Sequence, residues 1–197
     1  MVNDKYSLSF TTGAALILES VSVASLKVEF TDWGSVKKHV LEHNTFQTRT
    51  ASTLRKLYGE VARRLTHLNE SEMKLLVTGT DSAQKQLVWL SICRHYILIR
   101  DFAVEVLSHQ LQTARFHVSQ QDYDAFFNAK AEWQNNLNGA SSQTKAKARQ
   151  VLFKMMRECG VIDGHDNIVN QRIDPQLLEL LRESPLEQVK VFPGVVS

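Results

Sequence analysis

One pentapeptide has the spacing of a metal centre. In His39-Val40-Leu41-Glu42-His43 the two imidazoles stand four residues apart with a carboxylate between them. On a helix that spacing puts both rings on one face, where they could share a zinc ion while the glutamate activates water, as in the inverted zincin motif. The chemistry needs a further protein ligand, and no spacing in the chain identifies one. Histidines that cap or face solvent are the simpler reading, so no metal is assigned. No G-x-x-x-x-G-K, G-x-G-x-x-G or G-x-S-x-G occurs, which leaves nucleotide hydrolysis, dinucleotide binding and serine-hydrolase chemistry without an anchor. The reading is of a protein with no catalytic residues and no cofactor. Cys93 and Cys159 sit in apolar helical contexts and read as core thiols in a reducing compartment.

The other chemistry within reach of these residues is the neutralisation of phosphates. Ten of the 23 basic residues fall in two stretches: Arg49, Arg55, Lys56, Arg63 and Arg64, then Lys145, Lys147, Arg149, Lys154 and Arg157. Between 49 and 64 the only acid is Glu60, and between 133 and 157 there is none. Lys147, Gln150, Lys154 and Arg157 share one helical stripe, opposite Ala148, Val151 and Met155. Arg49, Lys56 and Arg63 are seven apart, opposite Leu54, Val61 and Leu65. Such faces suit a polyanion, because each neutralised phosphate releases condensed counterions. An exposed basic stripe is also a common solvated surface, and the net charge of +2 adds no argument of its own.

The elements that must position these residues are nearly all helical. The spacing predicts helices over about 12–28, from an Asp32 cap through Val36, Val40 and Leu41, over 50–68, and over 70–77. Asp81 or Ser82 then caps one long central helix to about Gln112, apolar almost all round and so the expected core. Helices follow over 122–137 and from Ser141 or Ser142 to Cys159. Val161-Ile162, a turn over 163–167 and Ile168 to Ile173 read as a short β-hairpin, with His165 at its tip. Asp174-Pro175 opens a last helix through Leu177, Leu178 and Leu181, and the tail from Lys190 is extended. Helix, helix, hairpin is the order of a winged-helix module. The chain divides into a helical, helix-turn-helix-like region over 1–80 and the core helix plus winged-helix-like module over 81–197. Trp33, Trp89 and Trp133 read as core anchors, and Arg94, Arg100 and Asp101 as residues that pair with one another or with acids on neighbouring helices.

Composition limits the alternatives. With 43% hydrophobic and 22% charged residues, 3 Pro and 8 Gly in 197 positions, the chain can bury a core and is not disordered. The most apolar run, Leu87 to Leu107, holds Arg94, His95, Arg100, Asp101 and Glu105, too many charges for a membrane span. Tyr6 to Val28 carries Glu19 among many Ser and Thr and does not read as a signal peptide. A cytoplasmic protein without a membrane partner is expected.

Three stretches, RTASTLRKLYGEVARRLTHL (49–68), WLSICRHYILIRDFAVEVL (89–107) and TKAKARQVLFKMMRECGVI (144–162), together resemble the BrxA family of BREX phage-exclusion systems, over most of the chain and in the same order. The resemblance implies a cytoplasmic all-helical protein with a NusB-like bundle that binds double-stranded DNA. It also implies work beside other BREX components, a methyltransferase among them. It puts Arg49, Arg55, Arg63, Arg64, Lys145, Lys147 and Lys154 at the positions of the family's basic helices. A helical adaptor that binds another protein of the complex, or an RNA binder, remains an alternative.

Overall fold

The computed structural model describes residues 6–182 and 188–195. A 3-10 turn over Ser9–Thr12 leads into α1 (Ile17–Phe30), α2 (Trp33–His43), α3 (Ala51–Leu65), α4 (Glu70–Thr78) and α5 (Asp81–His95). Next come α6 (Ile97–Phe102), a π-helical turn (Ala103–Ser108), α7 (His109–Gln112), α8 (Gln120–Ala131), α9 (Asn135–Asn138), α10 (Ser142–Glu158) and α11 (Pro175–Leu181). The protein is mainly helical, as the hydrophobic periodicity predicts, and no described helix is long and apolar enough to cross a membrane.

Caps written in the sequence set most helix starts. Asp32, Thr50, Thr80 and Ser141 each accept a backbone N–H from three residues on, and Asn69–Glu72 and Ser119–Asp122 form reciprocal capping boxes. Leu87 to Cys93 is buried on all sides of α5, each large apolar side chain contributing roughly 1.5–3 kcal/mol. The other helices pack around it: α3, α4 and α10 contact α5, and α1 rests on α2, α3 and α4. One apolar cluster runs from Tyr6 to Phe192, and Trp89 Nε1 donates to the Val191 carbonyl at 2.9 Å, docking the tail.

Several boundaries differ from the sequence reading. The first helix starts only at Ile17, because the chain before it is held by buried charge: Arg64 Nη1 donates to the Ala14 and Ala15 carbonyls at 2.8 and 3.1 Å. A Cβ on Gly13 would lie 2.9 Å from Arg64 Nη2, so a larger residue there would have to displace the guanidinium. The long central helix is capped by Thr80 and breaks at Tyr96, where the backbone turns extended. There the Tyr96 ring meets Phe10 edge-on at 5.3 Å and its hydroxyl donates to Glu60. The helix expected over 122–137 starts at Gln120 and ends at Ala131, leaving Trp133 85% exposed instead of in the core. The hairpin is reduced to one antiparallel bridge, Ile162↔Ile168, with a second bridge from Asn167 to His117. Asp163 Oδ1 takes the N–H groups of His165 and Asn167, so the turn closes on a side chain instead of a ladder.

The internal ion pairs form as expected. Arg94 holds Glu72 through two bonds of 2.6 and 2.7 Å, and Arg100 pairs with Asp101 at 3.0 Å.

Candidate nucleic-acid interface

The two basic helices each keep an apolar face inward, but their charges meet different fates. On α3, Leu54, Tyr58, Val61 and Leu65 are buried. Arg55 and Lys56 are exposed, and Arg49 is exposed just ahead of the Thr50 cap, outside the helix proper. Arg63 is exposed and bonds Glu60 Oε2 at 2.7 Å. Arg64 differs: it is 1% exposed and lies inside the core. Its Nε donates to Glu60 Oε1 at 3.0 Å, and Nη2 lies 2.7 Å from the same oxygen but out of line for a hydrogen bond. Burial alone would raise the Glu60 carboxyl, yet Arg64, the Tyr96 hydroxyl and Arg63 together hold it below its ordinary value. Burial and the Glu60 carboxylate push the Tyr96 phenol up to about 12. Arg64 thus organises the interior and offers no surface to a phosphate.

On α10, Ala148, Val151, Leu152, Phe153, Met155 and Met156 face inward. Lys147 is exposed and its ammonium donates to Gln150 Oε1 at 2.9 Å. Lys154 is exposed, with Glu158 at a loose 3.6 Å; that carboxylate also takes the Ala15 N–H at 2.7 Å. Lys145 is half-buried with its ammonium 5.2 Å from the Phe127 ring centre. Arg149 is half-buried and paired with Asp124 of α8. Arg157 pairs with Asp166 of the turn at 2.6 Å. Arg149, Arg157, Gln150 and Phe153 border a notch of about 160 Å³ against Gln120 at the start of α8.

The fold therefore sorts the ten candidates. Arg49, Arg55, Lys56 and Lys147 remain exposed without an ion pair among the described residues and Lys154 is exposed with Glu158 at 3.6 Å, whereas Arg63, Arg149 and Arg157 are paired with Glu60, Asp124 and Asp166. The sequence reading missed Asp124 and Asp166, because both reach α10 from other elements and carry no periodic signal. His165 is exposed at the turn.

The His39 and His43 rings stack at 4.2 Å on α2, His43 exposed and His39 half-buried beside Phe30. His43 Nδ1 lies 3.0 Å from the His39 carbonyl and Glu42 lies 4.0 Å from Lys38. Among the described residues no group of three His, Cys, Asp or Glu side chains converges as a metal site would need. Cys93 and Cys159 are buried, and burial drives both thiols well above the usual range, away from nucleophilic reactivity.

Residues 4–185 match the family model described as BrxA. The chain is 24% identical over 162 residues to "BREX protein BrxA" of Escherichia coli O9:H4 (strain HS), covering 82% of this chain and 76% of that protein. It is 23% identical over 175 residues to "BREX protein BrxA" of Bacillus cereus (strain H3081.97), covering 89% of this chain and 86% of that one. A crystal structure of an uncharacterized protein from Magnetospirillum magneticum superposes with a TM-score of 0.83 at 18% identity, over 97% of this chain and 100% of the other. That likeness shows a shared fold alone.

Proposed function

Because the chain belongs to the BrxA family, we propose that it is a cytoplasmic, non-enzymatic component of a BREX-type phage-defence system that binds double-stranded DNA through phosphate contacts. The observation that carries the reading is the exposed basic surface of α10 and α3, with Lys147 and Lys154 on α10, Arg55 and Lys56 on α3, and Arg49 just ahead of the Thr50 cap. Their flexible cationic stems suit backbone oxygens more than base edges, for which only Gln143 and Gln150 are near at hand. In this reading α8, α10, the Ile162–Ile168 bridge and α11 act as a winged-helix-like module, and the helices before it as a NusB-like bundle. The division at residues 80/81 gives one basic helix to each part. Other BREX proteins, a methyltransferase among them, are the proposed partners. The names of the relatives support that context, and the basic surface supports the nucleic acid.

A mobility-shift titration of duplex DNA, single-stranded DNA and RNA at two salt concentrations tests it. Duplex binding that weakens steeply with salt is the expected result. Preference for RNA, or affinity indifferent to salt, would overturn it. One observation favours a second role as a helical adaptor: Trp133, Leu18 and Phe116 are large apolar side chains held in solvent.

A further inference from the structure

Two carboxylates from other elements stand on the basic side of α10. Arg157 shares the helical stripe of Lys147, Gln150 and Lys154, and Arg149 lies on its flank. Arg149 Nη1 donates to Asp124 Oδ2 of α8. Arg157 Nε donates to Asp166 Oδ1 at 2.9 Å, and its Nη2 lies 2.6 Å from the same oxygen. Both arginines line the notch of about 160 Å³, together with Gln120, Gln150 and Phe153.

The turn over 163–167 delivers Asp166 to this place. Its backbone is left-handed at φ 62°, a conformation that aspartate adopts more readily than most residues. Its N–H donates to the Asp163 carbonyl at 3.2 Å and its carbonyl takes the Val118 N–H at 3.0 Å, so the main chain is held on both sides. Asp163 is occupied by the His165 and Asn167 N–H groups, and Asp166 is the acid that reaches α10. Neither pair exhausts its arginine, since a guanidinium carries five N–H donors. The Arg157 and Arg149 side chains also keep 41% and 25% of their surface in solvent. Ion pairs that solvent reaches hold weakly, so a phosphate can displace a carboxylate here that a buried pair would retain.

We propose that Asp124 and Asp166 are internal phosphate mimics: they hold Arg149 and Arg157 in reserve at the notch, and a phosphodiester of duplex DNA binds there by displacing them. The inference rests on the duplex-DNA reading above and deepens it, because it makes the notch a phosphate subsite and the two acids antagonists of binding. Affinity is thereby set below what the five cations of α10 would give unopposed.

Two double-mutant cycles, read by duplex titration at two salt concentrations, test it: Asp166→Asn with Arg157→Gln, and Asp124→Asn with Arg149→Gln. Asparagine keeps the shape of the acid and tolerates the left-handed backbone. Each Asp→Asn change alone should raise affinity at least about threefold and steepen the slope of log affinity against log salt by up to about 0.9. In the arginine variant the same change should add little, because the acid acts through its arginine. Equal gains with and without the arginine would show only the field of the removed charge and would overturn the proposal. So would unchanged or weaker binding by an Asp→Asn variant that circular dichroism shows to be folded. The Asp124 cycle, within α8, decides the matter should Asp166→Asn not fold. A wild-type chain without affinity for duplex DNA overturns the DNA reading and this inference with it, whereas duplex binding without coupling overturns this inference alone.

Discussion

Arg63 and Arg64 are neighbours in sequence with opposite roles. Arg64 anchors a buried network with Glu60, Tyr96 and the carbonyls of Ala14 and Ala15, and breaking one partner of such a network leaves an uncompensated buried charge. Arg64→Ala should therefore lose about 3–5 kcal/mol of stability, whereas Lys56→Ala should change it by no more than about 0.5 kcal/mol. Urea denaturation of the two variants measures both. A stable Arg64→Ala chain that had lost only DNA binding would contradict the burial argument. Acid sensitivity follows from the same region. The Glu60 carboxyl is depressed below its ordinary 4.5, so its contribution is complete above that pH and is lost as pH falls through the folded value. His67 and His95, 3.0 Å apart, are both held below 6.5, by burial first and then by neighbouring charge. The unfolded chain takes up those protons first, so stability should begin to fall below about pH 6.5 and fall again in the carboxylate range. Melting temperatures across pH 7 to 4 would show the two stages, and His95→Gln should flatten the upper one.

At the scale of elements, α10 separates an exposed basic face, the proposed phosphate surface, from a packing face. Lys147→Glu with Lys154→Glu reverses two exposed charges and should leave the fold intact while weakening duplex binding strongly. Each lost phosphate contact should also flatten the slope of log affinity against log salt by about 0.9. Unchanged affinity and slope in a folded protein would mean that this stripe is only solvated, and would move attention to Arg49, Arg55 and Lys56. Met155→Asp, on the buried face, should do the reverse and loosen the C-terminal helices through a buried unpaired charge. Loss of cooperative thermal unfolding would report it.

For the whole molecule, the proposed binding surface offers phosphate partners and few base-reading groups, so affinity should depend little on DNA sequence. Competition between unrelated duplexes of equal length should give similar affinities; a short site bound orders of magnitude better would show readout that this surface does not provide. The continuous cluster from Tyr6 to Phe192 ties both basic helices into one packed body, so their relative geometry is set by the core.

Much of the architecture was legible from residues alone, since caps and apolar periodicity act within one or two turns. Asp32 starts α2 as read, because its side chain needs only a backbone N–H three residues on. The inward faces of α3 and α10 follow from spacings of three and four. The break at Tyr96 and the exposure of Trp133 were not legible, for each depends on what a distant segment supplies or fails to supply. Which cations stay free was decided the same way. Asp124 and Asp166 neutralise Arg149 and Arg157 from other elements, and Arg64 is buried by carbonyls some fifty residues earlier in the chain. The sequence alone determined which residues carry positive charge and on which helical face. Only the tertiary structure decided which of those charges still face solvent, because long-range Coulomb pairing and burial have no period in the sequence.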